Sequence, residues 1–269
     1  MRSRFIAPLR FCLVCIAGLF CQQNLAQAAT PAATAAATSS NTATTIARAP
    51  FTLSLTTEDY PPFNIINPEN GAITGISTDK VRELMRRSGD RYTITAYPWA
   101  RAFQMARGEV NTCVFSTTRT AERETMFKWI GPLVKNNWFI FARASDPRRP
   151  ATLEDLQPYV IGGYRNDAIA EFFNLRGFKI ELANTDSDNP RKLLYRRFDF
   201  WATGELLGLA LLKSQGLDQQ IIPLFQFHQS LMYLACHTGM APERVERYQK
   251  ILKEMERDGT VAAIEKKYR

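Results

Sequence analysis

The segment FSTTRTAER, residues 115–123, places several hydroxyl groups just ahead of an arginine. A buried-strand pattern runs into this segment, and helical character is predicted from Thr120. Hydroxyls and free N–H groups at a helix N-terminus attract anions, and an arginine one turn later can hold a carboxylate through two parallel hydrogen bonds. The spacing of Ser116, Thr118 and Arg123 therefore predicts a small-anion site. The alternative is an ordinary helix cap at Thr120 with Arg123 in solvent.

Other chemistries lack the motifs that they require. The sequence has no nucleophile elbow, phosphate-binding loop, dinucleotide fingerprint or HExxH motif. His228 and His237 lack metal-ligand spacing to any cysteine or acidic cluster, which favours structural histidines. The arginine pairs are scattered, as on a solvated surface and not along a nucleic-acid groove. We expect no metal, no cofactor and no nucleic-acid partner, and we assign no catalytic residue.

Residues 1–28 have the features of a secretory signal peptide. Three arginines precede an apolar run over 11–20, and LAQA at 25–28 offers small residues where a signal peptidase cleaves. An uncleaved anchor is one alternative, and a lipoprotein anchored through Cys21 is another, although bulky Phe20 precedes that cysteine. We expect cleavage and a periplasmic location.

Residues 29–50 form a leader of alanine, threonine and serine with few large side chains, so we expect disorder there and a folded part from about Phe51. Removing the signal peptide leaves Cys113 and Cys236. In an oxidising compartment these two cysteines can pair, and two buried thiols are the equally open alternative.

The composition is that of a folded protein: 269 residues, 45% of them hydrophobic, with 34 basic and 26 acidic side chains. From Phe51 onward, strand patterns alternate with amphipathic helical patterns such as the one over 242–257. This alternation predicts an α/β fold of two lobes, each a mainly parallel sheet flanked by helices. Ligands of such sheets sit beyond the carboxyl ends of the strands, so two facing lobes would form a cleft.

Six segments carry a family resemblance: TEDYPPF at 57–63, GAITGISTDKVRELMRRSG at 71–89, PWARA at 98–102, GEVNTCVFSTTRTAERE at 108–124, VIGGYRNDA at 160–168 and DGTVAAIEKKY at 258–268. In this order and spacing they resemble the family 3 periplasmic solute-binding proteins, the polar-amino-acid type of ABC transporters. The resemblance covers about residues 51–269. It implies the type II periplasmic-binding-protein fold with two crossing strands, near 133–141 and 230–236. Lobe one would comprise 51–134 and 236–269, and lobe two 135–235.

The resemblance also implies ligand contacts in lobe one. Tyr60 matches the aromatic residue that packs on the ligand. Ser116, Thr118 and Arg123 match the pattern that grips an α-carboxylate.

Four further positions carry an expected role with an open alternative. Trp99 and Arg101 lie near the position of the cleft wall, and for Trp99 the alternative is the lobe core. Asp167 stands in the loop that closes on the carboxylate, where it could instead cap a helix. The acid that binds an α-ammonium group is replaced by Gly204, so Glu205 or Asp167 would supply that charge, or the ligand is not a standard α-amino acid.

The implied function is capture of a small carboxylate-bearing ligand, an amino acid above all, by hinge closure of a monomer. An ABC permease in the inner membrane would receive the ligand. Two alternatives share the scaffold: a ligand-sensing periplasmic subunit, and an enzyme resembling cyclohexadienyl dehydratases, with Glu205 or Asp167 as its buried acid.

Overall fold

The computed structural model describes residues 52–268; the predicted signal peptide and leader lie outside them. The strands are β1 (Thr52–Thr57), β2 (Ile65–Ile66), β3 (Ile73–Thr74), β4 (Arg91–Ala96), β5 (Thr112–Thr118), β6 (Lys128–Arg143), β7 (Val160–Tyr164), β8 (Lys179–Ala183), β9 (Phe200–Gly204) and β10 (Ile221–Cys236). The helices are α1 (Ile76–Ser88), α2 (Trp99–Gly108), α3 (Ala168–Leu175), α4 (Asn189–Leu194), α5 (Glu205–Gln215), α6 (Pro242–Arg257) and α7 (Thr260–Lys266). Within 52–268, no helix combines the length and the apolar character needed to cross a membrane.

Eight strands are hydrogen-bonded in the order β4-β1-β5-β10-β6-β9-β7-β8. The three strands at each end are mutually parallel, and we call β4-β1-β5 the first lobe and β9-β7-β8 the second lobe. Between them run β6 and β10, two antiparallel strands of 16 residues each. This arrangement confirms the predicted α/β fold with two crossing strands. The exact lobe boundaries remain a prediction.

The strand β10 is continuous where the sequence predicts two separate strands, 221–224 and 231–236. Its middle section still pairs with β6, with Gln226 opposite Phe139 and His228 opposite Trp138. Register shifts interrupt the pairing at several points along β10, and they disturb the simple alternation of apolar and polar residues. The middle section of β10, with its polar residues, therefore shows no clear strand pattern in the sequence.

Helices cover the sheet of each lobe with buried apolar side chains. Helix α6 packs on the first lobe through the apolar stripe predicted from its sequence. Helix α7 contributes to the same core. The core of this lobe includes Leu53, Leu55, Leu84, Tyr248, Leu252, Met255 and Ile264. That of the second lobe includes Ile161, Ile169, Phe173 and Phe200. Burying one such side chain contributes roughly 1.5–3 kcal/mol, so these cores hold the facing loops in place.

Cys113 and Cys236 form a disulfide, which decides between the two alternatives left open by the sequence. Cys113 on β5 lies directly opposite Cys236 on β10, and both are fully buried. The bond joins residues 123 positions apart in the chain, so it encloses the whole second lobe. It ties the returning crossing strand to the sheet of the first lobe.

The helix predicted from Thr120 is wrong. The strand β5 continues to Thr118, and turns follow it. In these turns the backbone N–H of Arg123 donates to the carbonyl of Thr120, and a short 3₁₀ helix then spans Glu124–Met126. Because β5 and β6 run in the same direction on either side of β10, the short connection must travel back along the strands, which leaves no room for a regular helix. The proposed contribution of a helix N-terminus to anion binding is therefore lost, and only the side chains remain.

Candidate ligand-binding site

The loops that follow the parallel strands of the two lobes contact one another. The Tyr164 hydroxyl, at the end of β7, donates to the Glu58 carboxylate just after β1 at 3.0 Å. The indole N–H of Trp99 donates to the carbonyl of Asn166 at 2.7 Å. The carboxyl ends of the strands thus meet at an interlobe contact, where open α/β sheets bind their ligands.

Arg123 lies within this contact, with its side chain only 1% exposed. Its Nε donates to Oε2 of Glu171 at 3.0 Å, and Nη2 lies 2.9 Å from the same oxygen. Nη2 donates to the carbonyl of Asn166 at 2.8 Å. The guanidinium carbon lies 4.9 Å from the centre of the Phe103 ring. Nη1 is buried and has no hydrogen-bond partner among the described residues. The alternative in which Arg123 is solvated is therefore wrong.

A cavity of about 260 Å³ borders Arg123 and is lined from both lobes. Phe103, Glu122 and Met126 contribute to it from the first lobe. Asn166 and Glu171 contribute from the second. The cavity is of the order of size that a small solute needs, since ligand pockets commonly span about 300–1,000 Å³.

The other predicted residues of the first lobe lie around buried polar contacts. The Tyr60 hydroxyl accepts from the side-chain amide of Asn136 at 3.1 Å, and Ser116 donates to Oδ1 of Asn64 at 2.9 Å. The Asn64 Nδ2 atom is buried with no partner among the described residues. Thr118, also buried, lines a cavity of about 380 Å³ that Glu171 borders as well. The ligand contacts of Tyr60, Ser116 and Thr118 stay a prediction.

Two predicted residues are not part of the interlobe contact around Arg123. Arg101 is exposed and its guanidinium stacks 4.2 Å from the ring centre of Tyr97. Glu205 is half-buried at the start of α5, where its carboxylate accepts from the side-chain amide of Asn137 at 3.0 Å. Trp99, by contrast, is buried at the contact. A ligand role for Arg101 and Glu205 gains no support from these positions.

Asp167 caps helix α3, since its carboxylate accepts from the N–H of Ile169 at 3.0 Å. The helix-cap alternative is thus correct, and Asp167 is also buried near Arg123. Burial raises the pKa of Asp167 to about 7, although the Arg123 charge opposes this rise.

Two acidic residues of this region were missed by sequence reasoning. Burial raises the pKa of Glu58 well above its usual range, and the nearby Asp167 adds to this effect. Burial also raises the pKa of Asp186 to about 6, while hydrogen bonds from Thr203, Asn189 and Trp201 lower it. Their position in the sequence could have identified them, because Glu58 and Asp186 each stand within a few residues after a strand of a parallel sheet.

The family model for bacterial extracellular solute-binding proteins, family 3, matches residues 54–269. The chain belongs to this family. Its members are typically binders without catalytic activity. No curated protein matches the sequence.

Solved structures of this solute-binding fold cover most of the chain. A histidine kinase sensor domain with similarity to periplasmic binding proteins has a TM-score of 0.75 and 22% identity, covering 81% of this chain and 95% of its own. An ancestral arginine-binding protein bound to arginine has a TM-score of 0.71 and 22% identity, with coverages of 81% and 97%. The arginine-, lysine-, histidine-binding protein ArtJ from Geobacillus stearothermophilus has a TM-score of 0.71 and 18% identity, with coverages of 81% and 95%. At these identities the likeness shows the fold.

Gly204 of this solute-binding protein lies close to the polar ends of two side chains from other elements. A Cβ atom at Gly204 would lie 2.6 Å from the Tyr60 hydroxyl and 2.7 Å from Oδ1 of Asn136. Since real Cβ atoms do not approach other atoms so closely, a side chain at this position would require the Tyr60 and Asn136 side chains to shift. Of the two residues proposed to supply the missing charge, Asp167 is buried and Glu205 is half-buried.

A wider cavity, about 700 Å³, lies apart from this site. It is lined by helices α1, α6 and α7 together with Leu206 of α5 and Leu231 of β10. None of the site residues predicted from the sequence lines it.

Replacing Asp167 with asparagine is expected to remove part of the pH dependence of folding in this solute-binding protein. The pKa of Asp167 is near 3.8 in an unfolded chain and about 7 in the folded protein, so the folded state holds a proton between these values. The free energy of unfolding should therefore fall as pH rises through this interval, by about 4 kcal/mol in total from this group. Asparagine can still cap α3 and has no proton to lose.

Urea unfolding of both proteins at pH 5 and pH 8 measures this effect. The wild type should lose more stability than Asp167→Asn between the two pH values. An equal loss in both proteins would show that Asp167 does not hold a proton in the folded state.

Proposed function

We propose that this protein captures a small solute bearing a carboxylate, a polar amino acid, in the interlobe cleft. The carboxylate binds the Arg123 guanidinium, flanked by the hydroxyls of Ser116 and Thr118. The second lobe closes by a hinge motion about β6 and β10. The observation that carries the proposal is the guanidinium of Arg123, which is buried between the lobes and has one nitrogen without a hydrogen-bond partner among residues 52–268.

A buried cation favours an anionic ligand because removing charge from water is costly unless an opposite charge is close. Arginine is suited to carboxylates, since its planar group offers parallel hydrogen bonds. Arg123 already contacts the second lobe, so a ligand held there would touch both lobes. Contacts made only when the lobes are together are what drive closure.

The buried acids Glu58 and Asp167 favour a ligand that also carries positive charge. Burial is the main cause of their raised pKa values, and the nearby Asp167 charge raises the pKa of Glu58 further. An ammonium or guanidinium group between them would offset the cost of burying their charges. A polar amino acid supplies both charges, in keeping with the arginine, glutamine, lysine and histidine named for structural neighbours.

The protein acts in the periplasm after cleavage of its signal peptide and delivers its ligand to an ABC permease in the inner membrane. The structural likeness to a histidine kinase sensor domain favours a second candidate, a ligand sensor with the same capture step. Deleting the gene separates the two. Loss of high-affinity uptake of the ligand supports delivery to a permease, and normal uptake with a lost transcriptional response supports sensing.

A thermal-shift screen of the purified protein against amino acids, dicarboxylates and polyamines tests the capture step. A ligand that binds only the folded protein stabilises it by linkage, about 2.7 kcal/mol at a concentration one hundred times its Kd. We expect at least one amino acid to raise the melting temperature. A response to polyamines alone, which have no carboxylate, would contradict the proposal.

A further inference from the structure

Glu171 of the second lobe forms an ion pair with the guanidinium of Arg123. Glu171 stands in the first turn of α3, with 39% of its side chain exposed. Its Oε2 atom accepts from Nε of Arg123 and forms an ion pair with Nη2 at 2.9 Å. This is the charge-assisted geometry in which an arginine holds a carboxylate oxygen.

The remaining donors of Arg123 cannot hold a carboxylate through two hydrogen bonds. A guanidinium offers two forks, Nε with Nη2 and Nη1 with Nη2. Glu171 occupies the first fork through Nε, and the carbonyl of Asn166 accepts from Nη2, the nitrogen that both forks share. Of the guanidinium nitrogen atoms, only Nη1 has no partner within the part of the chain that the structure describes. A ligand carboxylate that binds in bidentate fashion must therefore displace Glu171 or the Asn166 carbonyl.

We propose that Glu171 is a built-in competitor that sets how tightly the site binds carboxylates. In the unliganded protein its carboxylate takes the place of the ligand's carboxylate on Arg123. The ligand enters by displacing Glu171, which rehydrates readily because it is half-exposed. The inference rests on the proposed function, since it concerns the same Arg123 site.

The sign of a charge-removing variant distinguishes this competitor from a clamp. If the pair between Arg123 and Glu171 exists only without ligand, weakening it destabilises the free state alone and tightens binding. If the pair persists with ligand, weakening it destabilises the liganded closed state as well, so binding stays equal or weakens.

The experiment is calorimetric titration of the full protein and its Glu171→Gln and Glu171→Ala variants with L-arginine, L-glutamine and the best amino acid of the thermal screen. We expect both variants to bind about five-fold more tightly, the scale of one partly exposed ion pair. Glu181→Gln is the matched control, because Glu181 lies on the same lobe with 35% of its side chain exposed and pairs with Lys192 instead. It should bind as the wild type does.

X-ray scattering without ligand gives a second readout. Glu171→Ala should have a larger radius of gyration than the wild type, because an interlobe pair is lost. Equal or weaker binding by the Glu171 variants, with a wild type that binds, would overturn this inference alone. A wild type that binds no carboxylate probe would overturn the proposed function and this inference together.

Discussion

Replacing Arg123 with methionine is expected to weaken ligand binding by about 100-fold or more, which corresponds to losing two charge-assisted hydrogen bonds. Methionine approximates the length of the arginine stem and keeps contact with Phe103, so the change is mainly one of charge and hydrogen bonding. Glu171 loses its partner in this variant, but it is half-exposed and can turn to solvent. The effect should therefore appear in binding more than in folding.

Arg119→Met is the matched control for this measurement. Arg119 lies in the same segment, is more than a third exposed, and pairs with Glu124 of its own lobe. Calorimetry with the amino acid found in the thermal screen should give near-wild-type affinity for Arg119→Met, and circular dichroism should show that both variants fold. Wild-type affinity in Arg123→Met would contradict the proposal that Arg123 binds the ligand carboxylate.

Replacing both Cys113 and Cys236 with alanine is expected to lower the free energy of unfolding by about 4 kcal/mol. The disulfide closes a loop of more than one hundred residues, which restricts the unfolded chain strongly. Both positions are buried, so the smaller side chains also leave a small void in the core of the first lobe.

Urea unfolding with and without dithiothreitol isolates the contribution of the bond. The wild type should unfold at lower urea when it is reduced, whereas the double variant should be insensitive to the reductant. An insensitive wild type would mean that the cysteines are unpaired in solution.

The elements of this fold follow from local patterns. The amphipathic stripe of α6 predicts both the helix and the residues that it buries, and Arg123 stands out because hydroxyls and an arginine follow a buried strand. Asp167 is correctly predicted to be a possible helix cap. These features depend on short stretches of chain, which a single sequence displays.

The remaining features depend on where the two lobes come together. The pairing of Glu58 with Tyr164, and of Arg123 with Glu171, joins residues far apart in the chain. The helix wrongly predicted at Thr120 fails for a similar reason, because the path between β5 and β6 is set by β10, more than one hundred residues later. Gly204 looks like a missing acid in the sequence, and only the structure shows that the Tyr60 hydroxyl lies where a side chain at this position would begin.

Capture of a carboxylate by Arg123 can be observed in a crystal structure of the protein with its best amino acid from the thermal screen. We expect closed lobes with an oxygen of the ligand carboxylate within hydrogen-bond distance of the Arg123 guanidinium. A ligand bound elsewhere, with Arg123 still held by Glu171 and Asn166 alone, would contradict this expectation.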